Sequence, residues 1–194
     1  MPTQCPSHQP APVLFGTRLR LRNPHPSDAA ALLAMHANQE VMRYWSTPPW
    51  TSLTQAHDWL ERAWQGAQTG QSYSWVISSR EAPDTLLGTC ALFAIQPGCR
   101  RAEVGYGLAR PHWGHGYATE AMQAVVTHAF GAMDLRRLEA DIDPDNHASQ
   151  RVLERLGFVE EGYLRERWEV DGIVSDSRLF GLLRREWRAG SQPT

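Results

Sequence analysis

The stretch Ala102-Glu103-Val104-Gly105-Tyr106-Gly107-Leu108-Ala109-Arg110-Pro111-His112-Trp113-Gly114-His115-Gly116-Tyr117-Ala118-Thr119 changes period half-way along. Ala102, Val104, Tyr106 and Leu108 alternate with Glu103, Gly105, Gly107 and Ala109. That predicts a strand over 101–109 with one large-residue face and one small-residue face. Glycines weaken a strand, so they mark a bulge or a place where something approaches the backbone. From Ala118 the apolar residues recur at steps of three and one (Ala121, Met122, Val125, Val126, Ala129, Phe130, Met133), which predicts a helix over 118–133. A glycine-bearing turn between strand and helix exposes several N–H groups at the positive end of the helix dipole, a site for phosphate or diphosphate. Each hydrogen bond to a charged oxygen contributes about 1.5–3 kcal/mol, so three or four hold a diphosphate without a lysine. A lone Gly-x-Gly would be turn geometry only; the small face before it and the long helix after it favour the anion site. A dinucleotide-binding Rossmann unit is excluded, because the third glycine is absent and the preceding strands read as antiparallel.

Upstream, Arg18 to Arg22 alternates arginine with leucine as a short strand, which Pro24 and Pro26 end. Ser27 and Asp28 offer an N-cap to a helix carrying Leu32, Leu33 and His36. A loop with Trp45, Pro48, Pro49 and Trp50 follows; then Ala56, Trp59, Leu60, Ala63, Trp64 and Ala67 spell a helix. Tyr73, Trp75 and Ile77 alternate with serines as a strand, and Thr85 to Ile95 is the next. Ala82-Pro83-Asp84 and Gln96-Pro97-Gly98 supply the turns of an antiparallel meander. Downstream, Leu138, Ala140 and Ile142 form a strand whose other face is Glu139, Asp141 and Asp143. Asn146 caps a further helix that Gly157 ends, and strands over 162–170 and 175–183 turn at Asp171-Gly172. The expected fold class is α+β, a mixed and mostly antiparallel central sheet flanked by helices. Residues 16–188 are read as one domain. Residues 1–15, polar and rich in proline, are read as a loose tail, and residues 189–194 as a second tail.

At 194 residues the chain can bury about 70% of its unfolded surface. A net charge of −2 gives no electrostatic case for a nucleic-acid or anionic-membrane partner. All nineteen cationic side chains are arginine. Chemistry that needs a lysine, a Walker-type phosphate loop or a pyridoxal Schiff base, is therefore excluded. The eight tryptophans fit a core or groove built of flat side chains. Cys5, Cys90 and Cys99 have no metal-ligand spacing and leave an odd thiol, which points to reduced thiols in the cytoplasm. There is no apolar core for a signal peptide and no apolar run of about 18 residues. His112 and His115, without a third ligand, make no metal site.

Arg110 to Ala121, R-P-H-W-G-H-G-Y-A-T-E-A, resembles the acetyl-CoA loop of the GNAT acetyltransferase superfamily. That family's pattern is Arg or Gln, two residues, Gly, one residue, then Gly or Ala, and it falls here on Trp113, Gly116 and Ala118. The tryptophan departs from the broad pattern but is usual in the RimJ/RimL-like branch, the ribosomal-protein N-terminal acetyltransferases. Asn146-His147-Ala148-Ser149 followed by Val152 to Phe158 resembles that branch's N-x-x-S…LGF signature. Thr17 to Arg22 and Phe180 to Trp187 are similar to it as well.

The resemblance implies an N-acetyltransferase with acetyl-CoA as cosubstrate and a primary amine as acceptor: a protein N-terminal α-amine, or alternatively a polyamine, drug or metabolite. A non-catalytic acyl-CoA sensor is the reading from another class, and homodimerisation is expected by analogy. By resemblance, acetyl-CoA lies between the strands ending near Leu108 and Asp143. Tyr106, Gly107, Leu108 and Ala109 pair with the pantetheine, and an amide near Leu108 polarises the thioester. Trp113, Gly114, His115, Gly116, Tyr117, Ala118 and Thr119 hold the diphosphate, with His112 beside it, and Asn146 bonds the pantetheine or simply caps its helix.

Glu103 is the candidate base; its alternative is a surface glutamate paired with Arg100 or Arg101. The tyrosine acid of many relatives would fall at Leu153, so Ser149 is the candidate acid, or else an ordinary first-turn serine. The glutamate that some relatives carry on the next strand falls at Trp168, between Glu166 and Glu169. An α-amine of pKa 7.7–8.0 is about a tenth neutral at pH 7, a cost of about 1.4 kcal/mol, against about 4.6 for a lysine. A weak base therefore suffices for an N-terminus. The acidic run from Glu139 to Asp145 either attracts a cationic amine or is a solvated face. Tyr44, Trp45 and Trp50 either line a substrate groove or cover the core.

Overall fold

The computed structural model describes residues 10–187. Along them run β1 (Leu14–Phe15), β2 (Leu19–Arg22), α1 (Ala29–His36), α2 (Gln39–Met42), α3 (Leu53–Thr69), β3 (Tyr73–Ser79), β4 (Gly88–Gln96) and β5 (Arg101–Leu108). There follow α4 (Tyr117–Phe130), β6 (Arg137–Ile142), α5 (His147–Arg155), β7 (Val159–Val170) and β8 (Ile173–Leu183). The eight strands form one sheet in the order β1-β2-β3-β4-β5-β6-β8-β7. Every neighbouring pair is antiparallel except β5 with β6. This is the mixed α+β sheet the periodicities predict. The single parallel pair is the one that α4 bridges, since a parallel return needs a crossover.

The strand alternation sorts the core into two layers. Leu19, Leu21, Trp75, Leu92, Ala102, Val104 and Leu138 face Met122, Val125, Val126 and Ala129 of α4 and Leu153 of α5. On the other face Val76 and Leu86 meet Leu32 and Met35 of α1 and Ala56 and Leu60 of α3. Both helix sets carry apolar residues at three-and-four spacing, which puts them on one stripe that only the sheet can bury. α3 begins with a capping box between Ser52 and Gln55, as its sequence position invites.

Three expectations need correction. The loose tail through residue 15 ends earlier: Ala11 is buried, Trp75 Nε1 donates to Pro12 O at 2.8 Å, and Leu14–Phe15 pair with β2. The physical reason is the buried Trp75 indole, which needs an acceptor, and only the incoming chain supplies one. Residues 1–9 and 188–194, with both tail ends and Cys5, lie outside the described residues. A short helix, α2, stands where a loop is expected, capped by Asn38 Oδ1 on the amides of Glu40 and Val41. The long helix stops at Phe130, because Gly131 leaves helical geometry there (φ −83°, ψ −84°).

Candidate active site

Only Arg101 to Glu103 of β5 pair with β6, against Arg137 to Glu139. Beyond them β5 runs on to Leu108 and β6 to Ile142 without pairing, so the sheet opens into a wedge. At the closed end Arg101 and Arg137 both hold Glu139, and Arg137 also holds Glu161. This ladder of charges pins the point where the strands part. On its other edge β5 stays paired with β4 as far as Leu108.

Ala109 N–H still donates to Leu87 O (2.9 Å) on the β4 side. Alternation therefore turns the N–H and C=O of Leu108 and Tyr106 toward the wedge. The Leu108 carbonyl accepts from Trp113 Nε1 at 2.8 Å. Its N–H is thus left as a donor facing the opening.

The turn that follows is exposed from Trp113 to Gly116. Gly114 and Gly116 sit at φ +78° and +77°, where a side chain would be strained. Gly116 is the residue that caps α4, so the free amides of the first helical turn, Tyr117 to Thr119, open beside it. Arg110 anchors the turn from outside through Glu40 (2.8 Å), and its guanidinium lies 4.8 Å over the Trp113 ring. Arg18 adds a cation. Glu120 holds it at 2.8 Å, it lies 4.7 Å over Tyr117, and its Nη2 would be 3.7 Å from a Cβ at Gly116. The sequence pattern marks Arg18 only as a strand residue, so this placement was not legible there.

The wedge is the mouth of a cleft of about 630 Å³ lined by Glu103, Gly105, Tyr106, Asp141, Asn146, Ser149 and Trp168 among others. Glu103 lies on the small-residue face of β5, half-buried. Burial, and then the charges of Glu139 and Asp141, push its carboxyl above the usual glutamate range; Arg101 and Arg167 oppose them. The paired-surface alternative does not hold. Arg101 is engaged by Glu139 and Arg100 by Asp134, and among the described residues Glu103 has no ion pair.

Tyr106 points to the opposite face, where its hydroxyl donates to Ser149 O (3.1 Å) and burial pushes its phenol up to about 12. Asn146 Oδ1 caps α5 by accepting from Ser149 N (3.1 Å). Leu153 is fully buried in the core. Glu103 and Ser149 thus line one cleft from opposite faces of the sheet. Glu166 and Glu169, the alternative carboxylates, are exposed and do not line it, whereas Trp168 between them does.

Of the three aromatics left open, Tyr44 and Trp45 line the cleft, while Trp50 stacks on buried His36 at 4.0 Å as core cover. Trp45 reaches the strand because Gly107 has no side chain. A Cβ there would lie 2.8 Å from Trp45 Cζ2 and 3.0 Å from Met35 Cε. Gly107→Ala is therefore expected to overpack this wall by about 1–3 kcal/mol. For a chain of this size that lowers the unfolding midpoint by roughly 2–12 °C. An unchanged melting curve would mean that Trp45 is free to move aside.

A family profile described as an acetyltransferase (GNAT) domain matches residues 18–159. The chain belongs to that family. It is 36% identical over 174 residues, 90% of its own length and 97% of the relative's, to an uncharacterised N-acetyltransferase p20 of Bacillus licheniformis. It is 29% identical over 138 residues, 69% of its length and 75% of the relative's, to the ribosomal-protein-serine acetyltransferase of Escherichia coli. Among solved structures, Mycobacterium smegmatis RimJ in complex with CoA-disulfide superposes with a TM-score of 0.82 at 26% identity, covering 90% of this chain and 88% of that one. The protein is a GNAT N-acetyltransferase dependent on acetyl-CoA, similar to the RimJ/RimL branch. No helix among the described residues is long and apolar enough to cross a membrane. Nor, among them, do three or more His, Cys, Asp or Glu gather as metal ligands.

Proposed function

We propose that this acetyltransferase modifies a protein N-terminal α-amine by direct transfer within a ternary complex in the cytoplasm. The carrying observation is the wedge itself. It places a half-buried carboxylate on one face of the sheet, a turn of exposed amides at the other end, and a free strand edge between them.

The chain's own groups fit acetyl-CoA. The amides from Trp113 to Thr119, with Arg18 beside them, suit a diphosphate, and the Tyr106–Ala109 edge suits the amides of a pantetheine arm. When bound, acetyl-CoA supplies the activated acetyl group. The Leu108 N–H polarises the thioester carbonyl. Glu103, with its raised pKa, takes the proton that the amine must shed, which suits a group working near neutral pH. The Ser149 hydroxyl donates a proton to the departing thiolate, directly or through a water it holds. Tyr106, which keeps its proton throughout this range, donates to the Ser149 backbone carbonyl and so holds the first turn of α5 rather than supplying a proton. Cys90 takes no covalent part, since burial raises its thiol and suppresses the thiolate.

The family residues carry one further preference. The α-amine loses its proton easily enough for a single carboxylate to suffice. A second reading, a small polycationic amine, is favoured by the carboxylates and aromatics that share the cleft, Glu103, Asp141 and Asp143 with Trp45 and Trp168.

Thiol release from acetyl-CoA, measured across serine- and alanine-initiated peptides, a lysine side-chain peptide and spermidine, decides between them. The expected result is the highest kcat/KM on a peptide α-amine, with intersecting double-reciprocal lines. A preference for spermidine selects the second reading. Parallel lines or an isolable acetyl-enzyme would contradict direct transfer, and tight binding without any turnover would make the protein a sensor.

A further inference from the structure

After a first shift between Glu160 and Gly162, β7 and β8 pair in register from Gly162 opposite Leu179 to Leu164 opposite Ser177, and the next pair is Trp168 opposite Ser175. β7 thus spends four steps where β8 takes two, a bulge of two extra residues. Glu166, inside the bulge, has φ +51°, a conformation that needs outside support. Asp176 gives that support: its Oδ1 accepts from Glu166 N (2.7 Å), and its Oδ2 accepts from Tyr163 Oη (2.5 Å). Bulges re-aim side chains beside active sites. Here the result is that Trp168, which stays 39% exposed, lines the cleft along with Val170, Ile173 and Ser175 of the same ribbon.

The indole is not placed there for packing alone. Trp168 Nε1 donates to Ser177 Oγ (3.0 Å), and Ser177 Oγ donates to Asp141 Oδ1 (2.5 Å). Ser177 is fully buried, where a hydroxyl without partners would be costly, so the three groups form a closed chain of donors ending on a carboxylate. Among the described residues Asp141 Oδ2 has only Arg167 Nε, at 3.7 Å, and Arg167 is half exposed. An ion pair that long and that wet is readily displaced. Asp141 therefore presents a fixed, charged oxygen to the cleft, next to an aromatic face and on the strand beside Glu103.

We infer that Asp141, held by Ser177 and Trp168, binds the acceptor as an ammonium cation and stations it beside Glu103, while the Trp168 ring covers the alkyl carbon that bears it. This inference rests on the acetyl-transfer reading of the cleft and names its acceptor-binding residue. Asp141 touches the acceptor; Ser177 and Trp168 are positioning residues. A cation is selected because a carboxylate and an indole face both attract it, and an uncharged analogue satisfies neither.

The test uses the full chain with two probes, a serine-initiated hexapeptide and spermidine. Asp141→Asn is expected to raise KM for the acceptor at least tenfold, with kcat within about threefold and KM for acetyl-CoA unchanged. Ser177→Ala, which keeps the charge but frees it, is expected to raise the acceptor KM by a smaller factor and serves as the second variant if Asp141→Asn does not fold. A readout independent of turnover is the indole N–H resonance of Trp168, assigned by its loss in Trp168→Phe. It is expected to shift as either probe is added to the wild type and to stay fixed in Asp141→Asn. An unchanged acceptor KM in a folded Asp141→Asn, or an indole signal indifferent to both probes, overturns the inference. Absence of any acetyl transfer by the wild type would instead refute the proposed function, and the indole titration would still judge Asp141.

Discussion

Glu103→Gln is expected to reduce kcat/KM for an α-amine acceptor by about ten- to a hundredfold at pH 7, and by less than about threefold at pH 9. The difference comes from the acceptor. At pH 7 about a tenth of an α-amine is neutral, so a base must remove a proton from most molecules, while at pH 9 the amine arrives ready to attack. The lower bound is that tenfold, and positioned bases contribute about 10²–10⁴ at most. The sign of the wild-type profile follows from the environment of Glu103. Burial and the neighbouring Glu139 and Asp141 favour its neutral form. The carboxylate therefore protonates at a higher pH than an ordinary glutamate, and activity falls as pH drops through that raised value. Glu103→Gln should lose the limb set by the glutamate and keep only the one set by the acceptor α-amine, near its pKa of about 7.7–8.0. An equal loss at pH 7 and pH 9, or a variant profile that keeps a second acid limb below that of the amine, would take the base role away from Glu103.

Gly116→Val is expected to weaken acetyl-CoA binding by at least about tenfold while leaving the fold in place. Gly116 lies at φ +77° as the cap of α4, and among the described residues beyond its chain neighbours the only atom within 4 Å of a new Cβ is Arg18 Nη2, at 3.7 Å. The damage is conformational rather than steric. A β-branched residue in the left-handed region costs about 1–3 kcal/mol, and the turn relieves that strain by rotating amides of the Trp113–Thr119 loop away from the anion. Losing one or two hydrogen bonds to phosphate at about 1.5–3 kcal/mol each accounts for the fold-change. Calorimetric titration with CoA, beside a far-ultraviolet spectrum to confirm α4, measures it. Binding within threefold of wild type would mean that the turn does not grip the cosubstrate. Loss of binding in Glu103→Gln as well would point to a general collapse of the wedge.

The elements that proved legible share one property: their pattern repeats. The three-and-one spacing of α4 and the alternation of β5 needed no partner to be recognised, because a buried stripe and a half-buried strand each leave a period in the chain. The turn between them was legible for a local reason too, since glycine at positive φ and a helix N-terminus are properties of adjacent residues. What escaped were contacts whose two halves lie far apart. Leu14–Phe15 is too short to carry a period, and it is a strand only because β2 and the Trp75 indole await it. Trp168 stood in the chain as an apparent loss, an indole where relatives carry a glutamate. Its meaning lies in a hydrogen bond to Ser177, nine residues on, and from there to Asp141, thirty-six residues back.

Sequence alone determined that a strand, an amide-rich turn and an amphipathic helix follow one another, the arrangement on which the proposed diphosphate site rests. Tertiary structure alone decided that β5 and β6 separate after Glu103, that Glu103 has no ion pair among the described residues while Glu166 and Glu169 face away, and that a bulge sets Trp168 along the cleft. The division is physical: period and turn chemistry act between neighbours in the chain, whereas the charge state and aim of a side chain depend on which distant groups the fold sets against it.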